Sequence, residues 1–250
     1  MLRRDERFLV HSYEVDAFGE LALPALAGYL QEAAGQHATE LGCGMEVLGA
    51  RGLTWVLVRQ RIEASAPVAR GDELLVATWP SGVYPLVVTR EFAVTRGSEE
   101  VARASTAWLV LDLETRRAVK PGEVLDPVLR PRLEAMAPVA GRLPAPGAEA
   151  LEHRFDVRYA DIDLNEHVTN TSYLSWALES VPEALWRGAR PRAVEAHYLA
   201  EARLGDGVVA RCALDGEVVL HALRRAQGEG EFARLRTRWT RRSRAGEATR

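Results

Sequence analysis

The sequence has 250 residues, a formal net charge of −3, and hydrophobic and charged contents of 47% and 27%, which are ordinary for a globular protein. This charge gives no support for general nucleic-acid binding, and no stretch approaches the roughly 20 apolar residues of a membrane-spanning helix. The two cysteines, Cys43 and Cys212, have no metal-ligand or CxxC spacing. We therefore expect a soluble cytoplasmic protein without a secretion signal, in a reducing compartment.

The first 120 residues predict one helix and several strands. Apolar residues recur at three- and four-residue spacing over residues 21–41, which indicates a helix with one buried face, and Gly42 supplies its stop. A short strand is expected before it, at residues 8–16. Four stretches rich in β-branched and aromatic residues follow, at 53–63, 72–80, 86–96 and 100–112. Their short glycine, proline and serine links predict antiparallel pairing.

The later part of the chain repeats this order after a change in composition. Residues 121–151 contain six prolines and read as a linker across the surface. A strand is predicted at 153–159, a helix at 171–186 and a strand at 192–202. Residues 206–214 and 217–223 predict a hairpin about Asp215-Gly216, and 231–240 predict the last strand.

The two halves also align by residue type. Tyr29-Leu30 aligns with Tyr173-Leu174 at an offset of 144 residues, and Gly71-Asp72 aligns with Gly205-Asp206 at an offset of 134. This repeat predicts duplication of a unit in which one antiparallel sheet wraps one long helix. Because such a unit is the hotdog fold, we expect an α+β tandem (double) hotdog. Its parts are an N-terminal hotdog at 1–120, the linker at 121–151 and a C-terminal hotdog at 152–250.

Three polar side chains, Asp163, Asn165 and His167, stand at every second position just before the second predicted helix. A strand-to-helix junction suits them, because the helix start offers backbone N–H groups to a developing negative charge. Under the 144-residue offset, the first half has glycine or apolar residues at these positions: Gly19, Leu21 and Leu23. We therefore expect the second half alone to carry the chemistry.

These residues resemble a motif of the acyl-[acyl-carrier-protein] thioesterases of plants and bacteria. The matching stretches are Asp163-x-Asn165-x-His167-Val168-x-Asn170, Tyr198-x-x-Glu201 and Gly52-x-x-Trp55. The chain departs from the family at two positions: Thr169 stands where asparagine is common, and Ala202 stands where plant members have a cysteine. A cysteine nucleophile at that position is therefore excluded.

The resemblance implies hydrolysis of the thioester of fatty acyl-[acyl-carrier-protein] in fatty acid biosynthesis, with Asp163, Asn165, His167 and Glu201 as the catalytic set. A histidine can take a proton from water near neutral pH, and Glu201 can orient it or share that work. Asn165 and the helix start can stabilise the oxyanion. Asp163 is either a nucleophile or an orienting group, and the sequence leaves both roles open. The acyl chain is expected to bind in the first hotdog.

The resemblance names the acyl carrier protein as the partner. We expect no cofactor, no metal, no nucleic acid and no membrane among the ligands, whereas a homodimer is compatible with the fold. Arg234, Arg236 and Arg238 alternate with apolar residues in the last strand, and a solvated outer face is favoured there over a docking surface for an acidic carrier. Two alternatives stay open: an acyl-CoA thioesterase of the hotdog superfamily, and a hotdog protein that binds an acyl thioester without cleaving it.

Overall fold

A computed structural model describes residues 2–125 and 141–242. The chain divides into two compact units, Met1–Gly141 and Arg142–Arg250. The middle of the predicted linker, residues 126–140, lies outside the described residues. In the two described ranges, no helix has the length and apolar content that crossing a membrane requires.

The first unit has an antiparallel sheet and one long helix. In the described residues its elements are β1 Arg4–Leu9, α1 Leu23–Glu40, α2 Met45–Gly49, β2 Leu53–Ala64, β3 Glu73–Val83, β4 Val88–Arg96, β5 Glu99–Asp112, β6 Ala118–Val119 and α3 Pro121–Val124. The strand order is β1-β3-β4-β5-β2, and β6 pairs with the end of β5. Strand β1 ends seven residues before the predicted strand does, because the Glu14 carboxylate accepts hydrogen bonds from His11 N and Tyr29 Oη and folds this segment into a turn.

Helix α1 has the predicted buried face, which contacts β3 and β1. Its buried residues include six apolar positions of the predicted spacing: Leu23, Leu26, Ala27, Leu30, Ala33 and Ala34. Gly42 follows the helix with φ of 69°, a conformation that suits glycine, so the predicted stop is confirmed.

The second unit repeats this plan. Its elements in the described residues are β7 Leu151–Asp156, α4 Asn170–Glu179, α5 Glu183–Gly188, β8 Ala189–Tyr198, β9 Gly207–Asp215, β10 Val218–Arg225 and β11 Glu231–Arg241. The strand order is β8-β11-β10-β9-β7, all antiparallel, and α4 contacts β9 and β10. The single helix predicted at 171–186 is wrong: Pro182 lacks the N–H that a continuous helix needs, and the chain breaks there into α4 and α5.

Matching contacts in the two units correct the offset of the first part of the repeat. Helices α1 and α4 begin 147 residues apart, at Leu23 and Asn170. Phe8 stacks on Tyr29 with ring centroids 4.5 Å apart, and Phe155 stacks on Trp176 at 6.2 Å, again 147 residues further on. The predicted offset of 144 is therefore wrong, because Tyr29 corresponds to Trp176 and not to Tyr173.

The offset of 134 in the later part is confirmed by a turn that both units share. Ala69 N donates to Asp72 Oδ2 over 2.9 Å, and Arg203 N donates to Asp206 Oδ2 over 2.9 Å. The glycine before each aspartate has a positive φ, 89° at Gly71 and 92° at Gly205. The aspartate and the glycine therefore define this turn in both units.

A buried histidine lies in the core of the second unit. The Nε2 atom of His221 is 2.8 Å from Thr237 Oγ1, and its Nδ1 is 3.5 Å from Ser180 Oγ. Burial lowers the pKa of His221 to about 3, because the charged imidazolium would be desolvated there. The histidine therefore stays neutral in the folded protein across the physiological range.

This histidine should make the protein less stable in acid. The unfolded chain protonates His221 near pH 6.5, so the free energy of unfolding falls as pH drops from about 6.5 towards 3, by up to about 1.4 kcal/mol per pH unit. We expect His221→Gln to lose less stability than the wild type between about pH 7.5 and about pH 4.5 in denaturant titrations. His153→Gln, at an exposed histidine, is the matched control. Equal acid losses in the wild type and His221→Gln would contradict this assignment.

Candidate active site

The predicted catalytic triplet lies in a seven-residue loop closed by a bridge between Ile162 and Val168. Asp163 organises this loop. Its Oδ1 accepts hydrogen bonds from Asn165 N over 2.8 Å and from His167 N over 3.4 Å, and its own N–H donates to His167 O over 2.8 Å. Glu166 adopts a φ of 61°, which completes the turn and sets the direction in which the chain reaches His167.

The first unit contains the same loop without the histidine. Asp16 Oδ1 accepts hydrogen bonds from Phe18 N over 2.9 Å and from Glu20 N over 3.1 Å, while Asp16 N donates to Glu20 O over 2.7 Å. Gly19, with φ of 79°, stands where Glu166 stands in the second unit. The loop therefore needs its aspartate in both units.

This correspondence corrects the expected contrast between the halves. The counterparts of the triplet at the 147-residue offset are Asp16, Phe18 and Glu20, and not Gly19, Leu21 and Leu23. The aspartate is common to both loops, whereas the amide and the imidazole are present in the second alone. The chemical difference between the two loops thus rests on Asn165 and His167.

Glu201 lies beside His167, although not on a strand as predicted. Strand β8 ends at Tyr198, and Leu199 N and Ala200 N both donate to Phe232 O, which turns the chain away from the ladder. The Glu201 carboxylate then comes within reach of the ring: its Oε2 is 3.2 Å from His167 Nε2. The two side chains are 31% and 22% exposed, so water can reach the pair.

The backbone of Ala202, the residue after Glu201, is held at both its N–H and its carbonyl. Ala202 N donates to Tyr173 Oη over 2.9 Å, and Ala202 O accepts from Val168 N over 2.9 Å. Helix α4 and the histidine loop therefore fix the position of Glu201 together. Burial, with the neighbouring Glu201, Asp206 and Asp163 carboxylates, raises the pKa of Tyr173 to about 12 against the opposing hydrogen bond from Ala202, so Tyr173 stays a neutral phenol.

A buried carboxylate, Asp161, anchors the start of α4. Asp161 Oδ1 accepts from Ser172 Oγ over 3.2 Å, and Asp161 O accepts from Thr169 N over 2.8 Å. Burial alone would raise the pKa of Asp161, but the hydrogen bonds and charge of Arg158 outweigh it and hold this pKa below its usual range. Asp161 is therefore part of the scaffold beneath the loop.

Asn165 differs from the other predicted site residues in the greater exposure of its side chain. Its side chain is exposed, and no side chain in residues 2–125 or 141–242 bonds to its carboxamide. Val168 N and Thr169 N, at the helix start, donate to backbone carbonyls. They are thus unavailable to an oxyanion in this conformation, and the first N–H groups of α4 itself are the backbone donors to consider.

Arg203 is a site residue that the sequence reasoning missed. One terminal guanidinium nitrogen, Nη2, lies 3.3 Å from His167 Nε2. The sequence feature that could have indicated Arg203 is the Gly205-Asp206 turn that both units share, because this turn brings residue 203 back towards the histidine loop.

Other predicted features are structural. Cys43 and Cys212 are free and buried, as expected for core residues. Arg234 donates to Glu231 Oε2 over 2.6 Å, and Arg236 pairs with Glu195, so these two strand arginines already have carboxylate partners.

No group of three or more histidine, cysteine, aspartate or glutamate side chains in the described ranges is placed to hold a metal ion.

Solved structures of similar fold include an acyl-ACP thioesterase from Bacteroides thetaiotaomicron VPI-5482. The match has a TM-score of 0.86 and 26% identity, and it covers 95% of this chain and 98% of that one. The 12:0-ACP thioesterase from Umbellularia californica matches with a TM-score of 0.79 over 97% of this chain and 98% of its own. Because the identity to the Umbellularia californica protein is 21%, this match shows a shared fold.

Curated relatives include acyl-[acyl-carrier-protein] hydrolase FATB2 of Cuphea viscosissima, which is 25% identical over 94% of this chain, and a palmitoyl-acyl carrier protein thioesterase of Gossypium hirsutum, 26% identical over 94%. The chain spans 62% and 63% of the lengths of these two chloroplastic proteins. Residues 2–128 match the model of the acyl-ACP thioesterase N-terminal domain, and residues 145–241 match that of the C-terminal domain. The chain therefore belongs to the acyl-ACP thioesterase family.

Proposed function

We propose that this protein hydrolyses the thioester of fatty acyl-[acyl-carrier-protein] and releases a free fatty acid. The observation that carries the proposal is the 3.2 Å approach of Glu201 Oε2 to His167 Nε2. Neither member of this pair has a like residue in the first unit, where Glu20 and Pro67 occupy the equivalent positions. The first unit forms the same loop and the same turn without this pair. We therefore infer that His167 and Glu201 serve catalysis rather than folding.

In this mechanism His167 is the general base. Its ring nitrogen takes a proton from water, and the resulting hydroxide attacks the thioester carbon. Glu201 stabilises the imidazolium by accepting its N–H in a charge-assisted hydrogen bond. The tetrahedral intermediate then collapses, the carbon–sulfur bond breaks, and the imidazolium returns its proton to the leaving thiolate. The products are a carboxylic acid and the free thiol of the carrier's arm.

Asp163 acts as an orienting group in this mechanism. Its Oδ1 accepts two backbone hydrogen bonds that shape the loop, and Asp16 does the same in the unit that lacks the histidine. A nucleophilic aspartate would have to leave these contacts or attack with its other oxygen. Asn165 supplies a side-chain N–H to the oxyanion, together with the start of α4.

We assign the fold, more specifically, to the double hotdog class. Each unit combines one antiparallel sheet with one long helix, and the family match covers both units. The acyl pocket is assigned to the first hotdog on the family resemblance and on the small buried residues of α1, Ala27, Ala33 and Ala34. The cytoplasmic location and the homodimer stay predictions.

The test is release of free thiol from a matched panel of acyl-ACP and acyl-CoA thioesters that carry the same acyl chains. We expect turnover with a higher kcat/KM for acyl-ACP than for acyl-CoA at each chain length. A higher kcat/KM for acyl-CoA would replace the proposed substrate with coenzyme A esters. Saturable binding of acyl-ACP without thiol release would identify a binding protein and end the proposal.

A further inference from the structure

Arg203 lies on a turn whose backbone does not depend on an arginine. The equivalent residue of the first unit is Ala69, and its N–H makes the same 2.9 Å bond to an aspartate that Arg203 N makes. The neighbouring carbonyls behave alike too, because Val68 O accepts from Leu21 N and Ala202 O accepts from Val168 N. The Arg203 side chain is thus an addition to a turn that forms with alanine.

This side chain approaches the atom of His167 that Glu201 approaches. Arg203 Nη2 is 3.3 Å from Nε2, and Glu201 Oε2 is 3.2 Å from the same nitrogen. A guanidinium can only donate hydrogen bonds, and a carboxylate can only accept them. The Arg203 contact therefore requires a lone pair on Nε2, whereas the Glu201 contact requires a proton there.

We propose that Arg203 is a positioning residue that sets the tautomer of His167 in the resting enzyme, an inference that rests on the proposed hydrolysis. Its N–H donates to Nε2, so the neutral ring carries its proton on Nδ1 and keeps Nε2 as the base. Without Arg203, the neutral ring places its proton on Nε2 and donates it to Glu201. Nε2 would then already carry a proton and could not accept one from water.

Arg203 and Glu201 act in turn during one cycle. In the resting state Nε2 accepts from Arg203. The attacking water displaces the Arg203 N–H from the Nε2 lone pair. When an O–H bond of this water breaks, its proton forms the N–H bond at Nε2, the hydroxide adds to the thioester carbon, and Glu201 accepts the new N–H because Arg203 is itself a donor. When the thiolate leaves, the same proton moves to sulfur, and Nε2 returns to Arg203. No proton is gained or lost by the enzyme over the cycle.

The expected effect of Arg203→Ala is a lower kcat with little change in KM, because the variant binds substrate but spends most of its time in the wrong tautomer. A charge-assisted hydrogen bond between Nε2–H and Glu201 predicts a decrease in kcat of about tenfold to hundredfold. Arg203→Lys should recover part of the rate, since an ammonium group is also a donor. Arg154→Ala, at an exposed arginine of β7, is the matched control and should behave as the wild type.

The deciding measurement is ¹⁵N NMR of the full chain with labelled histidine, above about pH 8, where an ordinary imidazole is neutral. The His167 signals are assigned by their loss in His167→Ala. We expect the proton on Nδ1 in the wild type and in Arg154→Ala, and on Nε2 in Arg203→Ala. The same tautomer in the wild type and Arg203→Ala would overturn the inference, as would a loss confined to KM.

The activities of the wild type and the variants separate this inference from the proposed function. A wild type that cleaves no thioester would end the proposed function and the inference that rests on it. Full activity of Arg203→Ala, with active wild type and inactive His167→Ala, would end the inference alone. The unfolding midpoint of Arg203→Ala serves as the folding control, and Ala69 in the first unit predicts that it stays close to that of the wild type.

Discussion

Replacing His167 by alanine is expected to lower kcat/KM for acyl-ACP hydrolysis by about a hundredfold to ten-thousandfold, the usual contribution of a positioned general base. The ring is partly exposed, and the hydrogen bonds that define its loop are made by backbone atoms and Asp163, so the variant should keep its fold. Steady-state thiol release from acyl-ACP gives the rate, and thermal unfolding checks the fold.

His153→Ala is the matched control for this prediction, because His153 is an exposed histidine on β7 in the same unit. It should retain the wild-type kcat/KM. A His167→Ala variant that keeps the wild-type rate would remove the histidine from the chemistry. The hydrolysis would then need another base.

Asp163→Asn and Asp163→Ala are expected to differ greatly in activity. Asparagine keeps an oxygen that can accept the hydrogen bonds from Asn165 N and His167 N, whereas alanine leaves both donors without it. Because a hydrogen bond to a charged group contributes about 1.5–3 kcal/mol, we expect Asp163→Asn to lose about tenfold or less in kcat and Asp163→Ala about a hundredfold or more. Both rates are measured as thiol release from acyl-ACP.

The first unit offers a matched control for the aspartate. Asp16→Asn and Asp16→Ala change the same hydrogen-bond pattern in the loop that lacks the histidine. Asp16→Ala should lower the free energy of unfolding more than Asp16→Asn does. If the two Asp163 variants are equally inactive, and ¹⁸O from labelled water enters the Asp163 carboxylate during turnover, then Asp163 is a nucleophile and the orienting role is wrong.

Most elements of the fold were predictable from local patterns in the chain. The three- and four-residue spacing of α1 and the alternation of buried Leu235 and Thr237 with exposed Arg236 and Arg238 in β11 lead directly to the observed elements. The break between α4 and α5 was also foreseeable, because Pro182 cannot donate a helical hydrogen bond. The turn at residues 11–14 was not, since it depends on Glu14 receiving a hydrogen bond from Tyr29, which is distant in the sequence.

The internal repeat was predictable in outline, but its offset at the site was not. The first loop shows a turn pattern with glycine at residue 19, whereas the second has Glu166 in the same left-handed conformation, so the shared turn is hidden in the sequence. Residue similarity then paired Tyr29 with Tyr173, although the stacking contacts pair it with Trp176. The hydrogen bonds of Asp16 and Asp163 were needed to find the true register.

Site residues that belong to a recognisable sequence motif were predictable. His167 and Glu201 are brought together, although Glu201 lies on a loop after β8 and not on a strand. No sequence motif contains Arg203, because its approach to His167 arises from the turn that Asp206 closes. Contacts between loops that are far apart in sequence depend on tertiary structure and leave little local signal.

The most direct test of the central claim is a double-mutant cycle between His167→Ala and Glu201→Gln, measured as kcat/KM for acyl-ACP hydrolysis. If the carboxylate acts through the ring, each single variant loses activity, and the double variant is no slower than His167→Ala alone. Independent losses that multiply in the double variant, or a Glu201→Gln variant as fast as the wild type, would contradict a catalytic pair formed by these two residues.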